Sequence, residues 1–294
     1  MNKIKTVMFC VWLILSAHLN AQEINQKDEV SFTKNDSIQD LIDSLKEITP
    51  CIEIGGDYMN NVVFWGRDFG VNQFGVESYI MYKNGKGLYM YITEHYWDGM
   101  ANKLAKTDIG IGYEKQFTDK FYASIGYERW IFFNGNQDVR KALTNYLEAD
   151  FNYDFKFISL EPTIYYMFGT DNFFQTDLTL HGSYYLFSFL KTGEFYLKPQ
   201  FVTTIANQTF LPLYSNYPSN YIKNNDFKII DFDLSLPIAI KIKNFELAPT
   251  IHYNIPLKAP NETISNFFYF SLNFTYNIYR DNSKIKSLYK LLSK

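Results

Sequence analysis

A single transmembrane antiparallel β-barrel of about twelve strands is the all-β fold that this 294-residue chain predicts. Three observations lead there. Apolar residues recur at every second position through most of the chain, with polar and acidic residues between them. Tyr (24) and Phe (27) are abundant, and aromatics reach 19% of the residues. The joints between alternating segments are tight and long by turns. A period of two puts successive side chains on opposite faces of a strand. An even strand count with short joints at one end and longer loops at the other is the outer-membrane pattern. Aromatic rings gather at the two water–lipid boundaries of such barrels. A soluble sandwich shares the alternation but has no reason to sort its loops by end.

The chain opens MNKIKTVMFCVWLILSAHLNAQ. Lys3 and Lys5 precede a short apolar run, Val7 to Leu15, and a small-residue end from Ser16 to Ala21. This is the layout of a secretory signal peptide (1–21) cleaved after Ala21, and it is too short to span a membrane as a helix. Cys10 lies in the apolar run, so Cys51 is the one cysteine expected in the exported chain, and no internal disulfide is expected. Residues 22–49 are a polar periplasmic segment in which Ile38, Leu41, Ile42 and Leu45 have helical spacing and Asp36 or Ser37 can cap. A short helix or loose arm fits it, as does a plug that enters the barrel. The barrel itself takes 50–279. The basic tail 280–294, RDNSKIKSLYKLLSK, suits a short helix near anionic lipid.

Alternating segments fall near 51–58, 71–83, 87–97, 106–117, 120–133, 143–154, 156–168, 172–187, 194–207, 226–241, 244–256 and 264–279. Most match the roughly 9–11 residues that cross a bilayer at a tilt. Asn84-Gly85-Lys86, Thr118-Asp119, Asp154-Phe155 and Lys243-Asn244 are tight joints; 59–70, 98–105, 134–142, 208–225 and 257–263 are longer, which places both termini on the periplasmic side. Pro162, Pro199, Pro237 and Pro249 fall inside segments, where each removes a ladder donor. They are expected at bulges or at strand breaks.

The faces divide by charge. In DFKIIDFDLSLPIAIKIK, Ile230, Phe232, Leu234, Leu236, Ile238 and Ile240 share one parity, while Asp231, Asp233 and Ser235 share the other. A carboxylate in hydrocarbon is costly, so the acidic parity is expected to face the lumen. That parity holds Glu77, Asp108, Glu114, Glu128, Glu148, Asp150, Glu161, Asp177, Asp231, Asp233 and Glu246, with Asp154 at a segment end and His181, Ser183 and His252 among the polar residues; Lys198 and Lys241 are the strand lysines placed with them. Rings of Asp and Glu favour cations. The expected role is therefore an outer-membrane channel for small neutral or cationic solutes. Its partners are outer-membrane lipid, the solutes and the barrel-insertion machinery. A closed barrel whose carboxylates bond across a filled interior is the alternative, because twelve strands are fewer than the 16–18 of wide porins.

Other chemistries have weaker support. His181 and Ser183 share a strand face, as a lipid-modifying barrel enzyme would need, but they share it with the inward parity and no third member is evident. His95 and His252 are isolated and lack zinc-site spacing. Asp231 with Asp233 falls short of the six to eight oxygens that Ca²⁺ requires. No cofactor, metal or catalytic residue is expected. A net charge of −3 without basic clusters argues against nucleic acid.

The stretch GGDYMNNVVFWGRDFGVNQFGVESYIMYKNGKGLYMYI carries Val63-Phe64-Trp65-Gly66-Arg67, then Gln73, then Gly87-Leu88-Tyr89. It resembles the start of TorF-type porins, in which an early strand leads through an aromatic-Arg-Gly turn to a Gly-aromatic hairpin. Here the order is Trp-Gly-Arg. The resemblance implies an outer-membrane channel and transfers no catalytic residue. More generally the chain resembles outer-membrane barrels of Gram-negative bacteria, and its end departs from their common pattern: the final aromatic strand closes at Tyr279 and fifteen residues follow, so Tyr279 does not stand where the usual insertion signal does.

Overall fold

The computed structural model describes residues 50–63, 73–98, 104–133, 143–169, 172–189, 192–209, 223–257 and 265–279. The expected signal peptide (1–21), the expected periplasmic segment 22–49, the tail 280–294, Phe64 to Arg67 and most of 208–225 lie outside them.

The strands are β1 (Cys51–Met59), β2 (Gly75–Lys83), β3 (Leu88–Trp97), β4 (Leu104–Thr118), β5 (Phe121–Phe132), β6 (Asn145–Asp154), β7 (Ser159–Phe168), β8 (Asn172–His181), β9 (Tyr184–Phe189), β10 (Gly193–Leu197), β11 (Gln200–Thr209), β12 (Lys223–Ile242), β13 (Phe245–Pro256) and β14 (Phe267–Tyr279). Each pairs antiparallel with its neighbours from β1 to β8; β8 then pairs with β11, β11 with β12, and β14 returns to β1. Cys51 faces Lys83 on one side and Tyr279 on the other, which closes the ring. β11 pairs with the first part of β12, and β10 pairs with its last residues, Ile238 to Ile242. So β8 with β9, and β10 with β11, are each one crossing broken in the middle. The result is a closed 12-strand antiparallel barrel.

The breaks have local causes. Pro199 has no N–H to give, and its carbonyl accepts from Gly182 (3.1 Å) across the facing break. Gly182 sits where a Cβ would lie 2.8 Å from the Tyr184 ring. Thus the segments 172–187 and 194–207 are each two strands. The other three prolines correct the expectation of bulges or breaks. Pro162, Pro237 and Pro249 lie within β7, β12 and β13, and the register resumes unshifted past them. The ladder skips a few pairs and continues.

Bulges occur elsewhere. Ala105 is the extra residue between the pairs His95–Lys106 and Tyr96–Leu104. Ile230 is the extra residue between Thr204–Asp231 and Ile205–Ile229. Ile230 is therefore buried, not on the lipid face as the alternation predicted, and Phe227 and Ile229 are exposed instead. A bulge sets two residues against one and changes the parity beyond it.

The outside of the barrel is apolar. Ile80, Ile125 and Ile251 are each 59% exposed, far more than a soluble core strand allows. An aliphatic band that includes Ile54, Ile92, Ile111 and Ile164 runs between two rows of aromatics. Tyr58, Tyr166, Phe174, Phe227 and Phe268 mark the end with long loops; Tyr82, Phe117, Tyr153, Phe155 and Tyr276 mark the end with tight turns. This is a lipid-facing surface of the outer-membrane kind.

The tight turns have the chemistry they need. Asn84 Oδ1 accepts from the N–H of Lys86 and Leu88, both at 2.9 Å, and Gly87 has φ +93°, with Glu114 O only 2.0 Å from where its Cβ would be. Lys243 takes φ 57° in the two-residue β12–β13 turn. The β6–β7 turn spans Phe155 to Ile158, with Lys156 at φ 76°, so β7 starts at Ser159 and not at 156. Asp154 is then an exposed strand end bonded by Ser159.

Candidate functional site

The inward residues form three zones. Nearest the tight turns, β2 to β6 enclose a cavity of about 270 Å³ lined by Glu114, Glu128, Glu148 and Asp150, by Tyr89, Tyr91, Tyr122 and Tyr146, and by Lys83. Local pairing builds it. Tyr89 lies opposite Gly112, and Tyr91 opposite Gly110. A Cβ on either glycine would come within 2.2 Å of the facing tyrosine ring. Without those side chains, the rings lie flat against the barrel wall, nearly parallel to each other (19°). Tyr79 lies over Gly55 in the same way.

Three of the carboxylates accept from hydroxyl groups around them. Tyr91 donates to Glu128 Oε2 (2.5 Å), Tyr122 to Glu114 Oε2 (3.1 Å) and Ser124 to Asp150 Oδ2 (2.7 Å). Trp130 Nε1 also donates to Glu128. Lys83 is 3.6 Å from Glu114.

The second zone is a polar belt. Asp57 faces Glu77, and Glu77 faces His95. His95 Nδ1 is 2.9 Å from Glu77 Oε1, and its Nε2 is 2.5 Å from Asp108 Oδ2. Lys106 Nζ is 2.6 Å from Asp108 and lies 4.1 Å over the Trp130 ring. Across the barrel, Gln175 bonds Asp177, Asn254 Nδ2 donates to Asp231 (3.1 Å), and His252 links Asp233 to Ser271. Lys106, Asp108, Asp231 and Asn254 are only 2–5% exposed. A side chain lining a wide water column keeps more of its surface wet. The described conformation is thus narrow at the belt.

The third zone, toward the long loops, is apolar. Leu143, Met167, Phe173, Ala206 and Ile230 pack together, with Trp130, Tyr146 and Tyr165 against them. Val62, Trp97 and Ala105 form a second cluster. Both bulge residues contribute here.

Most of the acids expected in the lumen meet one of these zones. Glu114, Glu128, Glu148 and Asp150 line the cavity; Glu77, Asp108, Asp177, Asp231, Asp233 and His252 belong to the belt. Glu246 is held by Lys198 (2.5 Å) and Lys241 (3.4 Å), so that part of the wall is neutralised. His181 sits 3.4 Å from Glu161, while Ser183 is exposed in the break between β8 and β9. The pairing of those two as base and nucleophile is not what the structure builds. Sequence reasoning missed Lys83 and Lys106, although each shares the inward parity of its strand's acids. It also missed the apolar zone, which depends on bulges.

One arrangement has the connectivity of a relay: Asp233 Oδ1 to His252 Nδ1 (3.2 Å), and His252 Nε2 to Ser271 Oγ (3.0 Å), with the imidazole stacked on Tyr269. Ser271 is only 7% exposed, so an incoming carbonyl carbon has no approach to Oγ. Its role here is to fix the belt. A fluorophosphonate probe is expected to leave Ser271 unlabelled in the folded barrel, as read by peptide mass spectrometry; labelling that is lost in His252→Asn would establish a nucleophile instead.

No protein-family model and no curated protein matches the chain. Solved barrels are similar in architecture. The KdgM porin is 8% identical, over 77% of this chain and 98% of that chain, with a TM-score of 0.45. The NanC porin is 9% identical, over 76% and 98%, at 0.43. LpxR from Salmonella typhimurium is 7% identical, over 76% and 99%, at 0.44. Likeness at this level is of the barrel and not of any site.

Proposed function

We propose that this barrel is an outer-membrane channel for small neutral or cationic solutes. The observation that carries the reading is the acidic cavity: four carboxylates and one lysine on the wall of a space that side chains do not fill. The tight-turn end would face the periplasm, as in other outer-membrane barrels, so this cavity would be the periplasmic vestibule. Solutes would pass from it through the belt. Outer-membrane lipid surrounds the barrel, and insertion would rely on the barrel-insertion machinery. The weak sequence resemblance to TorF-type porins is consistent with this role but adds no solute.

A closed barrel is the second reading, and the buried belt with the apolar zone beyond it favours that one. Planar bilayers separate the two. A channel gives discrete conductance steps with correctly folded protein; a closed barrel stays silent.

Selectivity follows from the charge. Confined charge in a low-dielectric wall acts more strongly than the same charge on an open surface. Under a KCl gradient the reversal potential is expected on the cation-selective side. It should shrink as salt rises, because the screening length falls from about 10 Å at 0.1 M to about 3 Å at 1 M. Replacing Glu148, Asp150, Asp231 and Asp233 by their amides should reduce it. Anion selectivity in the wild type, or no change in the quadruple variant, would sink the proposal that these acids set the lumen potential.

A further inference from the structure

The vestibule is more than an acidic wall. Its carboxylates stand beside two aromatic rings held flat by glycines, around a space of small-molecule size. We infer that this alcove, formed by Tyr89, Tyr91, Glu128, Glu148 and Asp150, is a binding site for a small organic ammonium ion. The inference rests on the reading of the interior as a solute path and names the class of solute held there.

Charge selects the sign of the ligand. Lys83 is the one cation on the cavity wall among the described residues, and it lies beside Glu114. Four carboxylates against one ammonium leave an excess of negative charge, which disfavours anions and rewards a cation that enters.

Geometry selects the kind of cation. No group of three or more acid, His or Cys side chains converges closely enough to hold a metal ion among the described residues. Hard divalent cations need six to eight oxygens at close range, and this negative charge is spread along β4, β5 and β6 instead. An ammonium group on a carbon skeleton suits a spread charge, because its N–H or N–CH₃ groups reach several walls at once. The tyrosine rings supply the other half of the contact. An ammonium ion is attracted to the face of an aromatic ring within about 6 Å of its centroid.

The glycines make those faces available. With any side chain at position 110 or 112, the facing ring would have to leave the wall and occupy the cavity. Cross-strand Tyr–Gly pairs also stabilise sheets, so a purely structural role for them makes a distinct prediction: Gly112→Ala would lower stability and leave the ligand affinity unaltered.

The test uses the full-length barrel, folded in detergent and checked by heat-modifiable migration, titrated calorimetrically with choline, putrescine and the neutral polyol sorbitol. Saturable binding of choline or putrescine, and none of sorbitol, is expected. Glu148→Gln with Asp150→Asn should weaken the ammonium probe at least tenfold, and Gly112→Ala should weaken it at least threefold by displacing the Tyr89 ring. If the double variant does not fold, Glu148→Gln alone is read, with an expected loss of at least threefold. The inference is overturned if folded wild type binds neither ammonium probe, if sorbitol binds as well, or if the acid variants bind unchanged. Bilayer recordings on the same preparation keep the two readings apart. Binding without conductance would support the site and remove the channel; conductance without binding would remove the site and leave the channel.

Discussion

Lys106→Met is expected to destabilise the barrel by about 3–5 kcal/mol, the usual result of stranding one member of a buried ion pair. Asp108 is 4% exposed at its side chain and receives Lys106 Nζ at 2.6 Å. Methionine keeps most of the aliphatic stem but removes the charge that lies over the Trp130 ring. Asp108 would then depend on His95 alone, 2.5 Å away on the other side. Lys106→Met with Asp108→Asn should recover a large part of the loss, because no buried charge is left uncompensated and the amide can still bond His95. The measurement is the urea midpoint of the heat-modifiable form in lipid vesicles. If the single and double variants lose equal stability, the pair is not coupled, and the belt is held by packing.

That pair also marks where sequence reading succeeded and where it stopped. Asp108 was legible as inward because it alternates with Ile109 and Ile111, and a carboxylate cannot face lipid. Lys106 obeys the same parity, yet a lysine near a strand end reads equally well as a rim residue, whose long stem can reach water. Its burial under Trp130 depends on β5, which no local pattern announces. His95 is similar: it has no partner nearby in sequence, and Glu77 and Asp108 reach it only through pairing across β2, β3 and β4.

The strand count was legible for a stronger reason. Alternation sustained over ten residues, with tight joints rich in Asn, Gly and Lys, leaves little freedom of register. Bulges escape such reading because one extra residue costs the pattern almost nothing. Ile230 sits in the run IIDFDL, where either isoleucine could start the alternation, and only the pairing with Thr204 and Ile205 decides between them. The prolines erred in the other direction. A proline removes one donor, and β7, β12 and β13 tolerate that without slipping because their neighbours hold the register on both sides.

Two adjacent residues of β5 should respond in opposite ways to the same substitution. Ile125 is 59% exposed on the outside, while Ser124 lines the acidic cavity and donates to Asp150. Ile125→Arg puts a guanidinium among acyl chains, at a cost of about 2–4 kcal/mol if it lies near the midplane. Ser124→Arg puts it among Glu114, Glu148 and Asp150, where the charge is compensated and water can reach the head group. Folding yield into vesicles should therefore fall sharply for Ile125→Arg and stay near wild type for Ser124→Arg. The latter should also weaken cation selectivity, since it neutralises part of the vestibule. Equal damage from both would mean that the cavity is too tightly packed to admit a charged side chain, and the interior would then be a core instead of a passage. The reverse order, with Ser124→Arg the worse, would place the lipid on the wrong face of the strand.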